Sequence, residues 1–278
     1  MHGIIGYDLF RDFVVEINYG AQYIKFHDPK WYAEKESKKT HIIPLSIRNR
    51  KAYVKGTVVL NDFKEVPVRM LLDTGSSDAI WLFENETIDI PTKNYDDFLG
   101  RGLGGDIFGK RTKIRSIKIA DFVIKDAKTA FPDKSSFRLI QNLGNRNGSL
   151  GGEVLKRFNI VFNYSNNSIS LRKNGNFKVP FHYNLSGIDL QHNGVRYVTE
   201  SIDGARKEEK ENVSKSYGNV QILMENQTRL SLVPEIIVSG IRMGSPAENA
   251  GLKEGDVILA VNGKSVHTFK LQHILQLL

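Results

Sequence analysis

No cysteine occurs in the 278 residues, so disulfides, thiolate metal sites and a cysteine nucleophile are excluded, and either redox compartment is compatible. No apolar run approaches the roughly 20 residues that a bilayer-spanning helix needs, so no membrane span is expected. The opening MHGIIGYDLF lacks the basic segment followed by an apolar one that marks a signal peptide. None of the seven histidines stands in an HExxH or other close metal-ligand spacing, and neither a metal nor another cofactor is expected. Acidic residues are in the minority, 31 Asp and Glu against 39 Lys and Arg, for a net charge of +8. The basic clusters are nevertheless short and separated: Arg48, Arg50 and Lys51; Lys110, Arg111 and Lys113; Arg206 and Lys207 beside Glu208 and Glu209. Such clusters read as solvated surface, and no nucleic-acid partner is expected. What remains is 40% hydrophobic and 25% charged residues, the balance of a globular chain of about two domains.

An internal repeat organises the first part of the chain. Residues 3–26 (GIIGYDLFRDFVVEINYGAQYIKF) lie over residues 148–171 (GSLGGEVLKRFNIVFNYSNNSISL) without a gap, at a constant offset of 145 (148 minus 3). Identities fall at Gly3/Gly148, Gly6/Gly151, Phe13/Phe158, Asn18/Asn163, Tyr19/Tyr164 and Ile24/Ile169. Each copy reads as a short apolar strand ending in glycine, a helical turn or two, then a strand, an Asn-Tyr turn and a second strand. Between the copies, 53–60, 66–72, 113–119 and 122–131 read as strands, and Val66, Val68, Met70 and Leu72 alternate onto one face. The segment RKEEKE at 206–211 reads as a solvated insertion, and the chain from Ile236 onward as a separate module.

After the strand ending at Leu72 comes Asp73-Thr74-Gly75-Ser76-Ser77-Asp78-Ala79-Ile80-Trp81-Leu82. This segment resembles the active-site loop of pepsin-like and retroviral aspartic proteases. Ser149-Leu150-Gly151 follows 78 positions after Asp73 (151 minus 73) and resembles the apolar-apolar-Gly element that packs behind that loop. The next residues, GEVLKRFNIVFNYSNNSISL, resemble the helix and hairpin that close the carboxy-terminal lobe of pepsins. The tripeptide alone would also suit a tight turn. By resemblance, Asp73 is one of two catalytic carboxylates, Thr74 braces the two loops, Gly75 permits their close approach and Ser76 hydrogen-bonds the carboxylate. The residue types suit the reaction: two adjacent carboxylates cannot both ionise, so they share one proton and act as a base and an acid on a trapped water. In the complete lobe the Asp precedes its glycine by 78 positions, so the counterpart for Gly6 is expected near position −72, upstream of Met1.

Gly100-Arg101-Gly102-Leu103-Gly104-Gly105-Asp106 offers the glycine spacing of a dinucleotide loop but lacks the helix and βαβ unit that such a loop requires. Its neighbourhood instead resembles the glycine-rich flap of retroviral proteases, which implies a substrate-covering tip at Leu103, Gly104 and Gly105. A plain surface hairpin is the alternative.

Gly244-Ser245-Pro246-Ala247-Glu248-Asn249-Ala250-Gly251-Leu252, followed by Glu254-Gly255-Asp256-Val257-Ile258-Leu259-Ala260-Val261-Asn262-Gly263, resembles a bacterial protease-associated PDZ domain. Local physics agrees: Ser245 suits an N-cap, Pro246 the first helical position, Glu248 a capping box, Gly251 the helix end and Asn262-Gly263 a tight turn. A PDZ domain adds a peptide as an extra strand and holds its terminal carboxylate on backbone donors. The resemblance places that loop at Leu185-Ser186-Gly187-Ile188, the receiving strand at 188–190, and the groove helix at Leu271, Ile274, Leu275 and Leu278.

The expected fold is therefore mainly β, a pepsin-like aspartic-protease lobe plus a partial PDZ domain that lacks its closing strands. Residues 1–40 are expected to be the end of a first lobe, 41–176 a second lobe with the Asp73 loop, and 177–278 the PDZ domain. The resemblance implies hydrolysis of peptide bonds, with a peptide or protein substrate and a peptide C-terminus at the PDZ groove as partners. It also implies an exported or cell-envelope location. Two alternatives accompany it: a homodimer of the retroviral type pairing Asp73 with its symmetry mate, and a non-catalytic peptide-binding protein that works through its PDZ groove.

Overall fold

A computed structural model describes residues 6–34, 37–102, 105–137, 145–201 and 228–278 of the chain. These form two compact units, Met1–Tyr183 and Asn184–Leu278, and the whole is mainly β. Among the described residues no helix is long and apolar enough to cross a membrane. The segment 206–211 lies outside the described residues.

The first unit is built from two sheets. The larger runs in the order Ser46–Arg48, Lys51–Val59, Glu65–Leu72, Gly148–Leu150, Ile80–Leu82, Phe122–Pro132, Gly105–Ile119 and Tyr95–Gly102. Pairing of Lys51–Val59 with Gly105–Ile119 curls it back on itself. The alternation read from the sequence is realised in Glu65–Leu72, where Val66, Val68 and Met70 are buried. They meet Ile80, Leu82, Ile114, Ile117, Phe131 and Leu150 in one apolar interior. Filling a closed sheet with branched and aromatic side chains is what makes such a lobe a rigid platform.

The second sheet carries the hairpins of both copies of the repeat. Its order is Tyr23–His27, Val14–Asn18, Phe158–Asn163, Ser168–Lys173 and Thr40–Pro44. Each copy is a hairpin preceded by a short helix, Tyr7–Asp12 in the first and Gly152–Leu155 in the second. The two inner strands pair antiparallel, with Glu16 opposite Val161, Val15 opposite Phe162 and Ile17 opposite Ile160. At the offset of 145, Val161 is the counterpart of Glu16, while Phe162 and Ile160 are the counterparts of Ile17 and Val15. Every pair is thus reciprocal, as a local two-fold axis through Glu16 and Val161 produces. The repeat is consequently a symmetry of the structure.

The second unit holds the antiparallel pair Ile188–Ser201 and Thr228–Ile241, the helix Pro246–Asn249, a small hairpin of Ala260–Val261 and Lys264–Ser265, and the helix Leu271–Leu275. Its core is Ile188, Leu190, Ile236, Val238, Ala247, Val266 and Ile274. The N-cap expectation is realised: Glu248 N–H donates to Ser245 Oγ at 3.3 Å, and Gly244 N–H donates to the Glu248 carboxylate at 2.6 Å. Asn262 and Gly263 both take positive φ, 51° and 74°, as a type I′ turn demands.

Candidate active site

Asp73 follows directly on the strand Glu65–Leu72, at the point where the chain turns towards Ile80–Leu82. Between these two strands, which the Asp73 loop connects, is threaded Gly148–Leu150, parallel to the first and antiparallel to the second. Two glycines make the threading possible. A Cβ on Gly148 would stand 1.9 Å from the Trp81 carbonyl oxygen, and one on Gly151 would stand 2.3 Å from the Asp78 carbonyl oxygen. No side chain fits at either position. The threaded segment then ties the loop down: Asp73 N–H donates to Leu150 O at 2.9 Å, Gly151 N–H to Ala79 O at 2.8 Å, and Gly152 N–H to Ser76 O at 2.7 Å.

Within the loop, the Asp73 carboxylate accepts from the Gly75 N–H at 3.1 Å, a charge-assisted bond that fixes the orientation of one carboxylate oxygen. Asp73 is half-buried, while Thr74 and Gly75 are exposed. The Ser76 hydroxyl, expected to hold the carboxylate, accepts instead from Asp78 N–H at 3.3 Å. The tight turn presents the Gly75 amide to the carboxylate and directs the serine side chain to the loop's other end.

Asp78 is the buried acid of the loop. It accepts from Ala79 N–H at 2.9 Å and from Trp81 Nε1 at 3.0 Å, and both its oxygens lie 2.9 Å from Arg111 Nη1. Arg111 also donates through Nε to Asp97, and Lys128 Nζ stands 3.7 Å from Asp78. Burial pushes the Asp78 carboxyl up, but the charges of Arg111 and Lys128 and the Trp81 and Ala79 donors outweigh it and hold the group below its ordinary value. Burial lowers Lys128 despite Asp78. Arg111 is raised: burial opposes its charge, and Asp78 and Asp97 more than offset that cost.

Arg111, expected with Lys110 and Lys113 to be solvated surface, is buried instead. Arg111 is 9% exposed, because its side of the strand faces the two carboxylates, whereas Lys110 extends to the exposed Asp96.

The hairpin of Tyr95–Gly102 and Gly105–Ile119 is separated from Ile80–Leu82 in the sheet by Phe122–Pro132 and reaches the loop through Arg111. Its base packs Phe98 against Phe108, ring centroids 5.5 Å apart. Gly105 takes φ +113° and Gly100 φ +128° at an irregularity in the pairing, conformations that side chains rarely adopt. Leu103 and Gly104 lie outside the described residues.

In the second unit, Gly187 has φ +78°, and a Cβ there would stand 2.3 Å from Ser245 Cβ. This close packing sets the loop against the start of the helix Pro246–Asn249. Leu185 is exposed, Ile188 is buried, and Leu271 and Leu275 are half-buried against the core around Ile274. The loop amides expected to meet a ligand carboxylate are engaged internally. Leu185 and Ser186 N–H donate to Leu278 O, Gly187 N–H to Asn184 Oδ1 at 2.9 Å, and Ile188 N–H to Ser186 Oγ at 3.2 Å.

Residues 54–154 match the family described as aspartyl protease, and residues 237–278 the one described as PDZ domain. The first match takes in the Asp73 loop, the hairpin of Tyr95–Gly102 and Gly105–Ile119, and the threaded Gly148–Leu150. The second takes in the strand end, the capped helix and the helix Leu271–Leu275. A segment similar to the aspartyl-protease family is thus followed in this chain by one similar to the PDZ family.

Proposed function

We propose that the first unit is one half of an aspartic peptidase, in which Asp73 meets a second carboxylate carried by a second lobe of the same kind. The observation that carries this reading is the asymmetry of the two repeat copies. Phe158, Ile169 and Leu171 are 1%, 1% and 4% exposed, while their counterparts Phe13, Ile24 and Phe26 are 41%, 55% and 50% exposed. The outer strand Tyr23–His27 is a sheet edge, whereas its counterpart Ser168–Lys173 pairs with Thr40–Pro44. Gly151 is pressed against the loop that holds Asp73, but a Cβ on Gly6 would meet nothing within 4 Å. The first copy therefore has the residues of a lobe interior without a lobe around them among the described residues. A second lobe placed by the local two-fold axis would cover Phe13, Ile24 and Phe26, extend the sheet at Tyr23–His27 and set its own loop against Gly6.

In this reading the exposed Thr74 and Gly75 lie where the two loops meet. One carboxylate is ionised and takes a proton from the trapped water as the water oxygen attacks the peptide carbonyl carbon. The protonated partner gives its proton to the carbonyl oxygen. The tetrahedral diol collapses by C–N cleavage, with the amine nitrogen taking up a proton, and no acyl-enzyme forms. The two carboxylates share one proton because their separation is too small for both to ionise. The hairpin of Tyr95–Gly102 and Gly105–Ile119 serves as the flap that covers the substrate and excludes water. The PDZ unit of the same chain supplies peptide binding.

The test is the Asp73→Asn variant of the complete natural protein, assayed on a labelled unfolded protein. Turnover is expected to fall by at least about 10²-fold, because the acid-base pair is removed while size and shape are kept. Turnover equal to the wild type would refute the assignment.

A further inference from the structure

We propose that Arg111 is a positioning residue that couples the covering hairpin to the catalytic loop, so that the placement of Asp73 depends on that of the hairpin. This rests on the peptidase reading of Asp73 and assigns a role to a cluster that the reaction itself does not use.

One guanidinium joins three parts of the sheet. Arg111 lies on the hairpin's inner strand Gly105–Ile119, opposite Tyr95 on one side and Ala130 on the other. Its Nε donates to Asp97 on the outer strand Tyr95–Gly102, and its Nη1 donates to both oxygens of Asp78, in the loop after Asp73. Asp78 controls the loop's shape through its backbone. Its N–H is bonded to the Ser76 hydroxyl, its carbonyl oxygen accepts from Glu153 N–H at 3.1 Å, and the Ser76 carbonyl accepts from Gly152 N–H. A shift of the hairpin base moves Arg111, then Asp78, then the residues that orient the Asp73 carboxylate.

The chemistry of the cluster favours this role over plain stabilisation. Asp78 and Asp97 are balanced by Arg111 and Lys128, and taking such charges out of water costs enough that an apolar cluster of the same volume would serve stability as well or better. What an apolar cluster cannot supply is direction. The planar guanidinium donates along fixed vectors to two carboxylates on two elements, which an ammonium cannot reproduce. Asp78 is 7% exposed, so water cannot substitute for a lost partner.

Two variants test the coupling. Arg111→Lys keeps the charge and loses the fork. The pair Asp78→Asn with Arg111→Met removes one charge of each sign, so the net charge of the cluster is kept and Asp97 and Lys128 remain as its ions. Amide hydrogen exchange is read at 73–79, at 95–102 and, as an internal reference, at 158–173. In Arg111→Lys both of the first two segments are expected to exchange about tenfold faster or more, with 158–173 unchanged, as local rather than global opening requires. The double variant is expected to match Arg111→Lys within about a factor of two if the two residues act as one unit. In the complete protein acting on a labelled unfolded protein, Arg111→Lys should lower kcat by about 10²-fold with KM little changed, since misplacement rather than lost binding is at issue.

Faster exchange at 95–102 alone would show that Arg111 only anchors the hairpin and would overturn the proposal. Uniformly faster exchange including 158–173 would reduce Arg111 to a stability role and overturn it equally. The exchange results stand independently of turnover. If Asp73→Asn retained wild-type turnover, the peptidase reading would fail while the coupling was still decided.

Discussion

Phe158, Ile169 and Leu171 lie inside the lobe, whereas their counterparts at the offset of 145, Phe13, Ile24 and Phe26, face outward. The residue types are nearly the same, and over the described residues both copies run helix, strand, strand. What differs is the surroundings. The second copy has its first strand threaded into the large sheet, the Asp73 loop against its glycines and Thr40–Pro44 paired with its outer strand, while the first has none of these among the described residues. A hairpin with three large apolar side chains on an open face and an unpaired edge is an interface in waiting, since a monomer rarely leaves such a patch bare.

The largest expected effect comes from mutating matched positions. Phe158→Ala should destabilise the first unit by about 3–5 kcal/mol, the usual cost of emptying a buried aromatic site. Phe13→Ala should cost about 1 kcal/mol or less, as at a surface position. Urea unfolding of the two variants measures both. Equal losses would mean that the first copy is as enclosed as the second and would remove the basis of the comparison.

The glycines give a second, smaller contrast. Gly151 has φ −98° and Gly6 φ −110°, so neither position forbids alanine on backbone grounds. The difference is the neighbour. Gly151→Ala must push the Asp78 carbonyl away and should cost about 1–3 kcal/mol. Gly6→Ala should stay within about 0.5 kcal/mol in this chain. Thermal unfolding resolves the two, and a large loss at Gly6 would show an unseen contact there.

The repeat was legible because its signal is local. Glycines at fixed spacing, an Asn-Tyr turn and apolar strands survive as letters in the sequence, and so does the Asp73 loop with Ser149-Leu150-Gly151 behind it. Exposure was not legible, since identical residues at Phe13 and Phe158 differ only in what lies over them. Arg111 was missed for a related reason. Its strand carries Lys110, Arg111, Lys113 and Arg115 in quick succession, so charge alone does not show which side chain turns inward. The deciding partners, Asp97 and Asp78, are 14 and 33 positions away. The Ser76 hydroxyl and the engaged amides of the Leu185–Ile188 loop depended likewise on hydrogen-bond directions that a one-dimensional pattern does not contain.

The smallest effect sharpens the comparison from the charge side, since the loop packed against the second copy carries a buried ion cluster and the first copy has no such loop among the described residues. The Asp78 carboxyl is held below its ordinary value of 3.8. Its contribution to stability is therefore fully present above that value and is lost as pH falls through the lower, folded-state value. The slope from this one proton is at most about 1.4 kcal/mol per pH unit. Unfolding of the first unit measured down an acid series should steepen below pH 3.8 in the wild type and flatten when Asp78→Asn is combined with Arg111→Met. An unchanged acid slope in the double variant would show that other carboxylates carry the dependence.

In the peptidase reading one lobe carries one half of the catalytic pair, and a single experiment tests this directly. The 278-residue chain and its Asp73→Asn variant are assayed on a labelled unfolded protein from about pH 3 to 8, a range covering the titration of a shared-proton carboxylate pair, with the molecular mass of the sample measured in the same buffer. The account predicts that the monomer shows no Asp73-dependent cleavage anywhere in that range. Asp73-dependent cleavage by a species of monomer mass would contradict it.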